Sequence, residues 1–65
     1  MYQIEDLQIE GRYFADGAIF KTKEDARQQL IDYHSTDMED EEIETLKKMT
    51  LEDILVCFEW CLVEV

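Results

Sequence analysis

Thr22-Lys23-Glu24-Asp25 and Thr50-Leu51-Glu52-Asp53 each set a hydroxyl ahead of two acids, and this pair constrains the fold more than any other feature of the chain. A threonine in that position accepts a hydrogen bond from an orphan N–H of the first helical turn, and the positive end of the helix dipole favours the acids behind it. Two helices therefore have fixed starting points, and every other element must fit into the intervals they leave. Behind Thr22, Ala26, Leu30 and Tyr33 fall at i, i+4 and i+7 with Ile31 beside them, which predicts one buried stripe and a helix of about three turns ending near His34-Ser35. Arg27, Gln28 and Asp32 are expected to face water. Behind Thr50, Leu51, Ile54 and Leu55 supply the apolar face of a helix of one or two turns.

The flanks carry a different period. Tyr2-Gln3-Ile4-Glu5 alternates apolar and polar residues, Gly11 permits a turn or bulge, and Asp16-Gly17 precedes the apolar run Ala18-Ile19-Phe20. Residues 2–21 therefore read as a β-hairpin. At the other end Phe58, Trp60 and Leu62 alternate with Glu59, Cys61 and Val63, the pattern of a closing strand. Between the capped helices, residues 37–44 hold six acids in eight positions, starting as a loop. Residues 41–49 then suit a short helix docked by Ile43, Leu46 and Met49, with acids at its start and Lys47 and Lys48 at its end. The expected fold is α+β: one domain over residues 1–65, a three-stranded antiparallel or mixed sheet with two or three short helices on one face, in the order β-β-α-(α)-α-β.

Charge narrows the function classes. Seventeen acidic residues against six basic ones give a formal net charge of −11. That field repels nucleic-acid phosphates and anionic lipid headgroups, so direct binding of nucleic acid or of a membrane surface is not expected, whereas basic protein surfaces are attracted. No apolar run approaches the ~18 residues of a membrane span, and residues 1–7 carry acids where a signal peptide has a basic start. A cytoplasmic protein is the expectation. Cys57 and Cys61 are too few for a secreted disulfide framework and read as reduced, small core hydrophobes.

Asp37, Glu39, Asp40, Glu41, Glu42 and Glu44 are the candidate partner-binding residues. Asp37, Glu39 and Glu41 alternate as at the start of a calcium loop, but Glu42 and Lys48 stand where such a loop needs a glycine and a bidentate glutamate. As a decoy, the cluster offers closely spaced carboxylates to lysines and arginines that otherwise hold phosphates. Glu5, Asp6, Glu10, Asp16, Glu52 and Asp53 extend the charged surface if they share a side with it. His34, the only histidine, suits a helix C-terminus, where it would cap the last carbonyls. One histidine and no glycine-rich loop give no means to assemble a catalytic site, so neither an enzyme nor a cofactor is expected. Cys57 and Cys61 lack the further ligands that a zinc site requires. Trp60 and Phe58 read as packing residues, and Tyr2, Tyr13 and Phe14 as exposed contacts.

The run from Phe20-Lys21-Thr22-Lys23-Glu24-Asp25-Ala26-Arg27 through Leu30-Ile31-Asp32-Tyr33-His34-Ser35-Thr36-Asp37 is followed by an acidic insert. Leu51-Glu52-Asp53-Ile54-Leu55 and Glu59-Trp60-Cys61-Leu62-Val63-Glu64-Val65 then complete the chain. This series resembles small acidic proteins encoded by phages and prophages of Gram-positive bacteria. The resemblance covers most of the chain and implies an early or accessory phage product in the host cytoplasm. Some proteins of that kind block host nucleases or CRISPR effectors by occupying nucleic-acid grooves. It thus points to a small interaction protein that inhibits or modulates a basic, nucleic-acid-handling host protein by carboxylate mimicry. The alternative from another class is a structural or assembly protein that homodimerises through strand edges, with the charge serving only solubility.

Overall fold

Both threonine caps form. The computed structural model describes Met1–Val65, running β1 (Tyr2–Asp6), a one-turn 3-10 segment (Phe14–Gly17), α1 (Lys23–His34), a second 3-10 turn (Ser35–Asp37), α2 (Asp40–Lys48), α3 (Leu51–Phe58) and β2 (Trp60–Glu64). Thr22 Oγ1 accepts the Asp25 N–H at 3.1 Å ahead of α1, and Thr50 Oγ1 accepts the Asp53 N–H at 3.2 Å ahead of α3. Such a bond satisfies one of the N–H groups that a helix start leaves without a partner. No helix is long and apolar enough to cross a membrane.

The fold is α+β with three α-helices and a two-stranded antiparallel sheet. β1 pairs with β2 from Tyr2 opposite Glu64 to Asp6 opposite Trp60, so the first and last elements of the chain close on each other. The chain reaches β2 through Glu59, whose left-handed backbone (φ 61°, ψ 46°) ends α3 while its N–H reaches the Leu55 and Val56 carbonyls. Phe58, expected in the strand, is the last residue of α3.

The expected second strand is the main correction. Only two isolated bridges stand where a ladder was predicted, Tyr2 with Phe20 and Glu5 with Tyr13. A ladder continued from Tyr2 opposite Phe20 would set Glu5 opposite Gly17, but Glu5 meets Tyr13, four residues earlier. The four residues between are the 3-10 turn Phe14–Gly17. Phe14 is drawn out of the pairing into the core, where it is 7% exposed, and the chain turns back through left-handed Ala15 (φ 52°), Asp16 (φ 55°) and Gly17 (φ 87°). Asp16-Gly17 is thus a turn, as the dipeptide suggests, but a turn that interrupts a strand instead of joining two.

The core is Ile4, Phe14, Ala26, Leu30, Ile31, Leu46, Leu51 and Ile54, drawn from β1, the 3-10 turn and all three helices. Ile4 lies opposite Leu62 on the sheet face that meets the helices. Tyr33, predicted to belong to the buried stripe of α1, is exposed: its ring meets the core in an edge-on contact with Phe14. Arg27, predicted to face water, is half-buried: its Nε donates to the Met49 carbonyl at 2.9 Å and a terminal nitrogen donates to the Lys47 carbonyl. It thereby caps the carbonyl end of α2 from a neighbouring helix, where a cation meets the negative pole of the dipole. Its ion pair with Glu24, at 3.0 Å, is the only salt bridge in the protein.

Candidate functional site

All six predicted partner-binding acids lie on the surface around the start of α2. Asp37 closes the 3-10 turn, Glu39 is the N-cap residue, Asp40, Glu41 and Glu42 form the first helical turn, and Glu44 follows. At about 100° per residue, Glu44 lies between Asp40 and Glu41 on one face while Glu42 points to the other side, so the acids form a collar and not a single flat face. The side chains of all six make no hydrogen bond and no ion pair within the protein, and Glu39 does not cap the helix. The nearest lysines in sequence, Lys47 and Lys48, occupy the last turn. At ~1.5 Å per residue that is on the order of 10 Å along the axis from Asp40 and Glu41, about the distance over which physiological salt screens a charge. They stand only one turn, about 5–6 Å, from Glu44, which nevertheless forms no ion pair with either.

The other acids proposed to extend this surface serve local structure in part. Asp6 Oδ1 accepts the N–H groups of Gln8 at 2.8 Å and Ile9 at 3.2 Å, and Glu5 Oε2 accepts the Gly11 N–H at 3.1 Å. Glu52 and Asp53 sit in the first turn of α3, where the dipole favours them. Beside the collar, Met38, Leu46, Met49, Cys57 and Phe58 line an apolar crevice of about 240 Å³ with Glu42 at its rim. Cys57 and Cys61 are both exposed free thiols, not core residues: Cys57 lines that open crevice, and Cys61, opposite Glu5, lies on the sheet face away from Ile4 and the helices. No three His, Cys, Asp or Glu side chains converge in an arrangement that could hold a metal ion.

His34 does not cap its helix. Its Nε2 accepts a hydrogen bond from Trp60 Nε1 at 3.0 Å, and its ring stacks on Phe58 with centroids 3.7 Å apart and planes within 10°. The neutral ring must therefore carry its proton on Nδ1. Burial among these rings lowers the His34 pKa from the ordinary 6.5, because it disfavours the charged form. Trp60 and Phe58 are half-buried packing residues, as predicted, whereas Phe14 was expected at the surface and is buried.

That packing shapes an open groove of about 950 Å³. Phe14 is its floor, with Tyr33 and Trp60 edge-on to it at centroid distances of 5.2 and 5.6 Å. Arg12, Asp16 and Asp32 line the same groove, and none of them takes part in an ion pair. The groove joins the 3-10 turn, the end of α1 and the start of β2. Sequence reading considered these residues singly and missed their convergence, for which the only local signal was the aromatic run Tyr13-Phe14 just before Asp16-Gly17.

No protein-family model, curated protein or solved structure matches the chain.

Proposed function

We propose that this protein is a non-catalytic acidic interaction protein that captures a basic, nucleic-acid-handling protein and inhibits or modulates it by placing carboxylates where phosphates would bind. The observation that carries the reading is the collar of residues 37–44: six exposed carboxylates with no internal counter-ion or donor, at the end of a helix docked by Leu46. Asp6 and Glu5 spend their lone pairs on local N–H groups, whereas these six leave theirs to solvent; the α2 dipole favours Asp40, Glu41 and Glu42 where they stand, and Asp37, Glu39 and Glu44 lie outside that first turn. Carboxylates left free on a rigid scaffold suit the forked geometry of arginine and the point charge of lysine. The crevice beside Glu42 offers an apolar contact of the kind an interface uses for affinity, while the collar supplies attraction and orientation. The role fits a phage accessory product acting in the host cytoplasm.

The test is retention of partners from a Gram-positive bacterial lysate, comparing the native chain with one carrying Glu39→Gln, Asp40→Asn, Glu41→Gln and Glu42→Gln. Basic nucleic-acid-binding proteins should be retained by the native chain, released as salt rises towards about 0.5 M, and lost by the variant. Equal retention by a folded variant refutes the assignment.

A second reading, self-association, is favoured by one observation: β2 has a strand on one side only, so its outer edge is open to pair with another chain. Sedimentation at high concentration separates the two, since a strict monomer removes it.

A further inference from the structure

The aromatic groove is a built feature that the α2 reading does not use. Its floor and walls are three rings in edge-to-face contact, and the Trp60 wall is held in place by the hydrogen bond from its indole N–H to His34. One rim is formed by Ala15 and Asp16, two non-glycine residues held in the left-handed region. Such conformations persist only where the surroundings impose them, and they concentrate at binding and active sites.

We propose that this groove is a second binding site, separate from α2, and that it takes the guanidinium of an arginine side chain presented by a partner protein. Charge complementarity selects the occupant. Asp16 has no donor, and Asp32 accepts only one bond, from Gln28 Nε2 at 3.0 Å on Oδ1, which leaves its other oxygen free. The groove therefore offers two carboxylates beside aromatic rings, and Tyr33 leaves 61% of its surface to solvent. A guanidinium is the group that combines a planar face for stacking on rings with a fork of N–H donors for carboxylates. Lysine lacks the plane. A phosphate or nucleotide would meet both acids and a chain of net charge −11. Arg12 opposes an incoming cation, so its removal should tighten binding.

Trp60 is the only tryptophan, and its emission reports on the groove directly. The probe is the blocked tripeptide Gly-Arg-Gly, titrated at low salt beside the same peptide carrying citrulline, the neutral isostere of arginine, and beside adenosine monophosphate. The arginine peptide should bind about tenfold more tightly than the citrulline peptide, and the nucleotide should not compete. Asp16→Asn combined with Asp32→Asn should weaken the arginine peptide about tenfold, and Arg12→Gln should strengthen it about threefold. Asparagine is chosen at position 16 because it tolerates the left-handed backbone better than most residues, and the citrulline comparison needs no variant. Neutralising residues 39–42 should leave peptide binding in place, so failure of the α2 reading and failure of this one are distinct results. Absence of any response, equal binding of the citrulline peptide, displacement by the nucleotide, or indifference to the double variant each overturns the proposal.

Discussion

Ala15→Gly should stabilise this protein, and the sign of the effect decides between the observed loop and the hairpin that the sequence suggests. Ala15 sits at φ 52°, ψ 43°, with its side chain exposed. A Cβ in the left-handed region costs about 1–2 kcal/mol, a penalty that glycine does not carry. Against this, glycine adds freedom to the unfolded chain worth about 0.4–1 kcal/mol. The exposed methyl group contributes little packing, so the balance is a gain of about 0.5–1 kcal/mol. For a domain of this size a change of 1 kcal/mol moves Tm by about 4–8 °C, so a rise of a few degrees is expected. The assay is urea unfolding followed by far-ultraviolet circular dichroism, with the slope against denaturant unchanged and the midpoint raised. In a continuous hairpin turning at Asp16-Gly17, Ala15 would be extended strand, and glycine there would destabilise by about 0.5–1 kcal/mol. A lowered midpoint for Ala15→Gly would therefore refute the left-handed turn, and with it the groove that the turn borders.

Three further outcomes follow from particular contacts. Arg27→Lys should cost about 1–2 kcal/mol in urea unfolding, since an ammonium cannot reproduce the fork onto the Met49 and Lys47 carbonyls, whereas losing the exposed Glu24 pair contributes little. Thr22→Ala and Thr50→Ala should each cost about 1 kcal/mol and add to within about 0.5 kcal/mol in the double variant, because each cap serves a separate helix. His34 has a folded-state pKa below 6.5, so the unfolded chain binds more protons just below that pH and stability rises with pH there. The His34 contribution should be complete above 6.5, decline as pH falls through the folded value and then level off, and His34→Gln should abolish that slope in unfolding curves measured across pH.

The parts of the fold that were legible in the sequence rest on contacts between residues close along the chain. Thr22 and Asp25 are three apart, as are Thr50 and Asp53, so their bonds are determined before any tertiary structure exists. The alternation of Trp60, Leu62 and their neighbours likewise states which face of β2 is apolar. Three of the misreadings involve distant partners, whereas Phe58 was misplaced locally, by a left-handed Glu59 that ends α3 one residue later than the alternation suggests. Arg27 looks like a solvated helix residue until the carbonyls at Lys47 and Met49 are brought to it. His34 looks like a cap until Trp60, twenty-six residues away, supplies an indole N–H. Phe14 follows a segment of strand-like composition, but the core it enters is built mainly from α1 and α3, which no window around residue 14 contains. The acid collar was legible because charge density and helix start are both local, although its distribution around α2 instead of on one face appears only with the helix phase in hand. The groove was illegible because Asp16, Asp32 and Trp60 come from three separate elements.

The central claim, that the carboxylates of residues 37–44 bind a basic partner, is tested most directly by the dissociation constant of the captured partner. It should be titrated at several salt concentrations against the native chain and the variant neutralised at Glu39, Asp40, Glu41 and Glu42. At about 0.2–1 kcal/mol per exposed pair, neutralisation should weaken binding about tenfold or more, and the salt dependence should become shallower. A folded variant with the same dissociation constant and the same salt dependence as the native chain would contradict the account.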